Sequence, residues 1–299
     1  MQLPIIPMAP LSHPHIPDGG DWGFQLKWDG VRIIAHLDNN TVTLYSRNGL
    51  MKNTTYPELV RNLAKLSVHM VLDGEAIVFD PVKQRPSFPL VLQRERLKDT
   101  NRIEDAASNY QVTYVLFDLL EQDGEDLRGM SYQERFERLK IAFPTREHWL
   151  FVTDLFHDGH SLWHWVESNG WEGIVSKRLT STYREGKHHK DWLKKKTKQQ
   201  FEVVIAGFTS KEGQRLSSLI MTIDGQYAGR VSGGLNESIK RRLLLLPVQP
   251  SSPFEKTPID LRNVKLSWLK QPFRAIISGQ ELSDYGQVRH PQIVQLELE

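Results

Sequence analysis

The first strand-like runs of this chain follow one another too closely for a crossover helix to fit between them. Trp22, Phe24 and Leu26 alternate with polar or small residues, and Val31–Leu37 and Thr41–Ser46 are rich in β-branched and aromatic residues. Asp38-Asn39-Asn40 between the last two reads as a hairpin turn. Val71–Phe79 and Val112–Leu119 continue the pattern. Helical periodicity is confined to Tyr56–Leu66, Ser131–Phe143 with a Ser-x-x-Glu capping box, and Ser161–Asn169 before Gly170. Strands and helices do not alternate as they would in a doubly wound sheet, so an antiparallel α+β fold is expected. The proline-rich start, residues 1–20, reads as an extended arm packed over a neighbouring surface.

A second unit is expected to begin near Gln199, giving domains at 1–198 and 199–299. Phe201–Phe208, Leu216–Ile223 and Tyr227–Val231 read as strands, Asn236–Leu246 as a helix with Asn236 at its N-cap, and Val264–Leu269 and Phe273–Ser278 as further strands beyond a loop at Pro247–Pro258. That order suits a small Greek-key barrel of the OB type. The 299 residues include no cysteine, which excludes disulfides, thiolate zinc sites and cysteine nucleophiles. Met1–Pro17 does not read as a signal peptide, and no apolar run reaches the roughly 20 residues of a membrane span. A cytoplasmic, nucleoid-associated protein with no membrane partner is therefore expected. The net charge is only +2, but it is uneven, with a basic stretch at Lys177–Lys198 and an acidic one at Glu121–Asp126.

Lys27, in Lys27-Trp28-Asp29-Gly30-Val31-Arg32, stands at the end of the first alternating run. A lysine amine can attack phosphorus and carry a covalent nucleotide. Further segments set charged residues directly against strand-like runs: Ser46-Arg47-Asn48-Gly49, Asp73-Gly74-Glu75, the run at Phe117, Glu172-Gly173 and Trp192-Leu193-Lys194-Lys195-Lys196. Each has an ordinary explanation as a turn, a hairpin rim or a solvated face.

In this order, however, they resemble the motifs of the covalent nucleotidyltransferases, and specifically of ATP-dependent DNA ligases, with a texture closest to the ligase modules of bacterial end-joining ligases. The resemblance implies an antiparallel-sheet, ATP-grasp-like nucleotidyltransferase domain followed by an OB-fold domain. It implies a lysine–AMP intermediate on Lys27, with Lys194 and Lys196 on the α-phosphate, Arg32 and Arg47 on the adenylate and then the nick, and Glu75 on the ribose. Phe117 would stack on adenine, Gln25 and Leu26 would line the base, and Glu172 with Glu75 would stand near a magnesium or manganese ion. The partners implied are ATP, nicked double-stranded DNA and a DNA-end-binding protein, the enzyme itself acting as a monomer. At pH 7.5 only roughly one lysine in a thousand is neutral, so Lys194 and Lys196 are also expected to lower the Lys27 pKa.

Arg289-His290-Pro291, with Ile293 and Leu296, resembles the last motif of the family and adds Arg289 to the DNA- and nucleotide-binding candidates. Its usual second arginine is replaced by Glu297. An RNA ligase or capping-type guanylyltransferase shares the core chemistry, and a non-catalytic nucleic-acid clamp shares the basic surface and barrel. The intact Lys27, Glu75, Glu172, Lys194 and Lys196 favour catalysis. His157, His160 and His164 have helical spacing but no further ligand to complete a zinc set, and no Gly-rich phosphate loop is present.

Overall fold

The crowded strand-like runs are accommodated by pairing edge to edge. The computed structural model describes residues 3–186, 188–211, 215–280, 282–283 and 285–298, and it divides into the units Met1–Thr197 and Lys198–Glu299. The strands of the first unit are β1 (Ala9–Ser12), β2 (Trp22–Leu26), β3 (Val31–Asn39), β4 (Thr41–Ser46), β5 (Val68–Ile77), the short β6 (Phe79–Asp80) and β7 (Arg85–Pro86), β8 (Thr113–Gln122), β9 (Glu125–Asp126), β10 (Leu150–Val152), β11 (Gly173–Arg178) and β12 (His188–Lys196). Its helices are α1 (Pro57–Ala64), α2 (Phe88–Arg96), α3 (Thr100–Asn109), α4 (Tyr132–Ala142) and α5 (Gly159–Ser168).

Two sheets result. One runs β1-β12-β11-β2; the other runs β10-β8-β5-β3-β4, with β9 paired to β8. The hairpin forms as expected: Asp38 pairs with Thr41, leaving Asn39 and Asn40 to turn, with Asn39 at φ 53°, a conformation asparagine tolerates. The antiparallel expectation holds for the sheet interiors but not at two edges, where β1 joins β12 and β10 joins β8 in parallel. Each of these strands is reached by a long connection rather than a hairpin, so direction is set by packing and not by a turn.

Apolar residues of β3, β4, β5 and β8 form the main core with Leu59 and Leu63 of α1 and Phe136 and Leu139 of α4. Helix α4 has the expected capping box at Ser131 and Glu134. Helix α5 begins earlier than expected because Asp158 caps it, accepting from the amides of His160 and Ser161. It packs Leu162 and Val166 against Trp22, Phe24 and Ile174 on the outer face of the smaller sheet. The expected arm is tethered, with Ile5 and Met8 buried in the main core.

Helices α2 and α3 escape the sequence reading because their buried faces are short or charged. Helix α2 buries Arg94 beside Val91, and α3 buries only Ile103 and Ala107. Arg94 is held bidentately by Glu58 (2.8 and 3.1 Å) and donates to the carbonyls of Thr55 and Tyr110. A hydrophobic-period search sees no stripe there.

The second unit is an antiparallel sheet ordered β15-β14-β13-β17-β16, with β18 also on β17. These are β13 (Gln199–Lys211), β14 (Arg215–Ile223), β15 (Gln226–Val231), β16 (Val248–Gln249), β17 (Lys265–Gly279) and β18 (Gln292–Leu296). Helix α6 (Glu237–Leu244) follows β15, and the Asn236 side chain accepts from the Ile239 amide at 2.8 Å. The two strands expected around Pro272 are one. Pro272 lies where the β13–β17 register skips from Phe273 to Trp268, so its missing N–H interrupts no pairing with β13.

In the first unit, Arg135 and Asp118 are both fully buried and share two hydrogen bonds of 2.7 and 2.9 Å. Arg135 also donates to the carbonyls of Met130 and Ser181, tying α4 to the loop after β11. Replacing Arg135 with methionine leaves a buried carboxylate unpaired and is expected to destabilise by about 3–5 kcal/mol. Denaturant unfolding of the purified variant measures this loss.

Candidate active site

The two sheets of the first unit face each other across a cleft of about 320 Å³, within the range of small-molecule sites. β1, β2, β11 and β12 line one wall, and β3, β5, β8 and the loop after β4 line the other. Period-2 alternation decides which side chains enter. On β12, Trp192 and Lys194 face the cleft, whereas Lys195 turns away and lies 4.0 Å from the Trp163 ring centroid on α5.

Lys27 stands one residue past β2, and its amide donates to the Gly173 carbonyl at 2.9 Å. Its Nζ donates to Glu172 Oε2 at 2.8 Å, while Lys196 Nζ meets Glu172 Oε1, also at 2.8 Å. The next residue must be glycine. Gly173 has φ 153°, and a Cβ there would stand 2.1 Å from the Lys195 carbonyl oxygen. That close crossing of β11 and β12 is what brings Glu172 between the two lysines.

The expected lowering of the Lys27 pKa is not what the structure shows. Burial does push the amine down, but Glu172, Glu75 and Asp29 together outweigh it, and the amine is held above its ordinary value. Lys196 cannot assist, because its charge is spent on the same carboxylate. Burial would raise the Glu172 pKa, yet Lys27 and Lys196 keep it below normal. Lys194 is lowered by burial and by the neighbouring charges of Lys27, Lys196 and Arg47. Glu75 is pushed up to about 8, chiefly by burial, against the pull of Lys27 and Arg32.

Arg32 is fixed to the cleft wall. Its Nε and Nη2 donate to Asp73 Oδ1 (2.8 Å) and Oδ2 (2.5 Å), and its guanidinium lies over the Phe117 ring at 5.1 Å. Phe117 owes its position to a bulge. The β5–β8 register passes from Asp73↔Asp118 to Gly74↔Leu116, so Phe117 has no cross-strand partner and lines the cleft. Its carbonyl, free of the ladder, accepts from Lys177 Nζ (3.1 Å) and the Tyr132 hydroxyl (3.2 Å).

Gln25 is buried in the wall, its amide nitrogen without a hydrogen-bond partner among the described residues, and Leu26 lines the cleft beside it. Arg47 is exposed at the cleft mouth, with Nη2 3.4 Å from His188 Nε2. The structure thus brings together Gln25, Leu26, Lys27, Arg32, Arg47, Glu75, Phe117, Glu172, Lys194 and Lys196. Arg289 belongs to the second unit, where its carbonyl accepts from the Gln280 amide at 3.0 Å.

Three cleft groups were not singled out from the sequence. Lys177 is buried beneath the rings of Trp192, Tyr132 and Phe117 at 4.1–4.6 Å, and burial lowers its pKa to about 7. Its signal was the alternation of β11, which sets Lys177 on the face of Val175. Trp192 contributes a buried indole N–H without an acceptor. Tyr183, which donates to Asp73 Oδ2 at 2.7 Å, lies in a loop with no period to betray it. Among the described residues, no group of three or more His, Asp or Glu side chains forms a metal cage, and His160 instead meets Asp18 at 3.2 Å.

The family model described as ATP dependent DNA ligase domain matches residues 16–196, which hold every cleft residue named above from Gln25 onward. The chain belongs to the ATP-dependent DNA ligase family. It is 35% identical over 300 residues to the multifunctional non-homologous end joining DNA repair protein LigD of Mycobacterium tuberculosis, covering 94% of this chain and 37% of that protein. The ligase chain thus spans little more than a third of that relative's length. The crystal structure of the ligase domain from M. tuberculosis LigD is similar at a TM-score of 0.54 and 31% identity, covering 97% of this chain and 95% of that one. A mycobacterial DNA ligase D complexed with ATP and MES is similar at a TM-score of 0.56 and 32% identity, over 98% and 95% of the two chains.

The raised Glu75 pKa has a stability consequence. Below the unfolded value of 4.5, both states hold the proton; as pH rises towards about 8, only the folded state keeps it, so the contribution of Glu75 is progressively lost. Glu75→Gln should therefore gain stability over the parent between about pH 5 and 8 and match it near pH 4. Denaturant midpoints of both proteins across that range read the difference.

Proposed function

We propose that the chain seals breaks with a 5′-phosphate and 3′-hydroxyl in double-stranded DNA, through adenylated Lys27 and adenylated DNA. The observation that carries this reading is the cluster of Lys27, Glu172 and Lys196 at the edge of a mononucleotide-sized cleft that also presents Lys194, Arg32 and Arg47. First, Lys27 Nζ attacks the α-phosphorus of ATP, forming a P–N bond as the bond to the β-phosphate oxygen breaks and pyrophosphate leaves. Next, a 5′-phosphate oxygen of the nick takes the adenylate and returns the lysine. Finally, the 3′-hydroxyl attacks the 5′-phosphorus and AMP departs.

The resting charge on Lys27 fits a site that arms itself only when loaded. The amine must be neutral to attack, and Glu172 is the strongest of the carboxylates that hold its pKa up. Once Glu172 is engaged elsewhere, the downward push of burial is opposed by Glu75 and Asp29 without it. Lys194 and Lys196 would then neutralise the α-phosphate in the transition state. Phe117 offers an aromatic face to adenine, while Gln25 offers an unpaired amide to its edge. Glu75, on the cleft wall, would accept from the ribose hydroxyls.

Glu172, with Glu75, fits a magnesium or manganese ion held mainly by substrate phosphates and water, because such an ion needs only one or two protein carboxylates. The ion would supply charge neutralisation for the triphosphate. We assign residues 1–198 to an ATP-grasp-like adenylation domain and 199–299 to an OB-fold DNA-binding domain, supported by the antiparallel strands flanking α6. A joint at Thr197–Lys198, just before β13, would allow the second domain to serve both the nucleotide and the nick; the Lys198–Phe201 placement expected from the sequence runs into β13, where Gln199–Phe201 pair with β17. The enzyme would act as a monomer in the cytoplasm, at the nucleoid, alongside a DNA-end-binding protein.

Incubation with α-labelled ATP should label the protein covalently, α-labelled GTP should not, and Lys27→Ala should abolish the label on a denaturing gel. Absence of any label would instead favour a non-catalytic clamp. Arg289→Ala is expected to slow self-adenylation about tenfold or more, as removal of a transition-state cation does; a single-turnover assay checks it. Nick affinity should fall steeply between low and moderate salt in a titration series.

A further inference from the structure

The family match begins at residue 16, but the cleft wall begins earlier, with Ala9 and Pro10. This leading segment is built into the unit. Ile5 is 2% exposed and Met8 fully buried, the Gly186 amide donates to the Ile6 carbonyl at 2.7 Å, and the His13 amide donates to the Lys194 carbonyl at 3.0 Å. β1 itself runs along β12, the strand that carries Trp192, Lys194 and Lys196.

Two hydrogen-bonded routes lead from this segment to the arginines of the cleft. The Met8 amide donates to the Tyr183 hydroxyl at 3.2 Å, and that hydroxyl donates to Asp73 Oδ2 at 2.7 Å. It also accepts from Arg32 Nη2 at 3.4 Å. One proton and two lone pairs are all a phenol offers, so Tyr183 is fully committed between the segment and the Arg32–Asp73 pair. On the second route, His188 Nδ1 lies 3.4 Å from the Pro10 carbonyl oxygen. A carbonyl can only accept, so Nδ1 carries the proton. Nε2 is then left with a lone pair facing Arg47 Nη2 at 3.4 Å.

We propose that Ile5–Ser12 is a strap that acts as a positioning element for catalysis, fixing Arg32 through Tyr183 and Arg47 through His188. The proposal rests on the reading above that these arginines bind the adenylate and the nick. Arg47 needs such help most. It is exposed, and among the described residues no carboxylate is paired with it. Without His188, its rotamers would have to be frozen at each encounter with the nick. Neither Tyr183 nor His188 need touch substrate for this role.

Deleting the strap would strip two core residues and need not leave a folded protein, so point variants of the full chain carry the test. Sealing of a nicked duplex is followed in single turnover with AMP-loaded enzyme. His188→Ala should slow sealing about five- to tenfold, the scale of one lost hydrogen bond in a preorganised site. His188→Gln, whose amide can donate to Pro10 and accept from Arg47, should recover most of that rate. In the Arg47→Ala background, His188→Ala should have no further effect. Tyr183→Phe should raise the ATP concentration for half-maximal Lys27 adenylation about fivefold, with less change in the maximal rate.

Parental rates in both His188→Ala and Tyr183→Phe would overturn the strap. So would full additivity of His188→Ala with Arg47→Ala, or loss of rate in His188→Gln equal to that in His188→Ala. A parent chain that forms no Lys27–AMP at all would overturn the underlying function instead, which keeps the two failures distinct.

Discussion

A buried carboxylate stays ionised only if its charge is met, and Glu172 is met twice, by Lys27 and Lys196. Much of the first unit can be understood from that requirement. β2 must end where Lys27 reaches the carboxylate, and β11 must start with a glycine that lets it cross β12 closely. β12 must alternate so that Lys194 and Lys196 point inward while Lys195 leaves for α5. The same contact sets the chemistry. It holds the Lys27 amine above its ordinary pKa, against the burial that favours the neutral form.

The opposite wall solves a different problem, which is to present an aromatic ring and a fixed guanidinium from a regular sheet. The bulge on β8 frees Phe117 from the ladder, and its carbonyl is satisfied by Lys177 and Tyr132. Arg32 is anchored by Asp73 and shares that carboxylate with Tyr183, so its plane is set before any phosphate arrives. The cleft therefore combines charges already paired with charges still open. Arg32, Lys27 and Lys196 belong to the first kind; Arg47 and Lys194, with no carboxylate paired to them among the described residues, belong to the second. Ligand binding in such a site is a change of partners rather than a capture of free charge.

Glu75 and Lys177 extend this pattern. Burial pushes the first up to about 8 and brings the second down to about 7, so two groups that look fully charged in the sequence are both displaced from their ordinary values in the cleft. Each can change its proton count at little free-energy cost when a phosphate or a metal ion alters the local field. Aromatic rings of Trp192, Tyr132 and Phe117 surround Lys177, which is 2% exposed.

The alternating runs, the hairpin at Asn39 and Asn40, the capping box at Ser131 and the ordered motifs from Lys27 to Lys196 were legible in the chain because each is a local signal. Periodicity and turn chemistry act over a few residues and need no knowledge of what packs on them. Helix α2 was not legible because Arg94 occupies the buried face where an apolar residue would announce a helix, and α3 because it buries little beyond Ile103 and Ala107. The two parallel edge pairings were hidden because long connections leave strand direction to packing. By itself the sequence determined which motif residues stand together and which strands display them. The tertiary structure alone decided their charge states and partners: Lys27 raised rather than lowered, Lys196 spent on Glu172, Tyr183 and Lys177 drawn into the site. The reason is that desolvation and Coulomb terms depend on distances across two sheets, and no spacing along one chain encodes those distances.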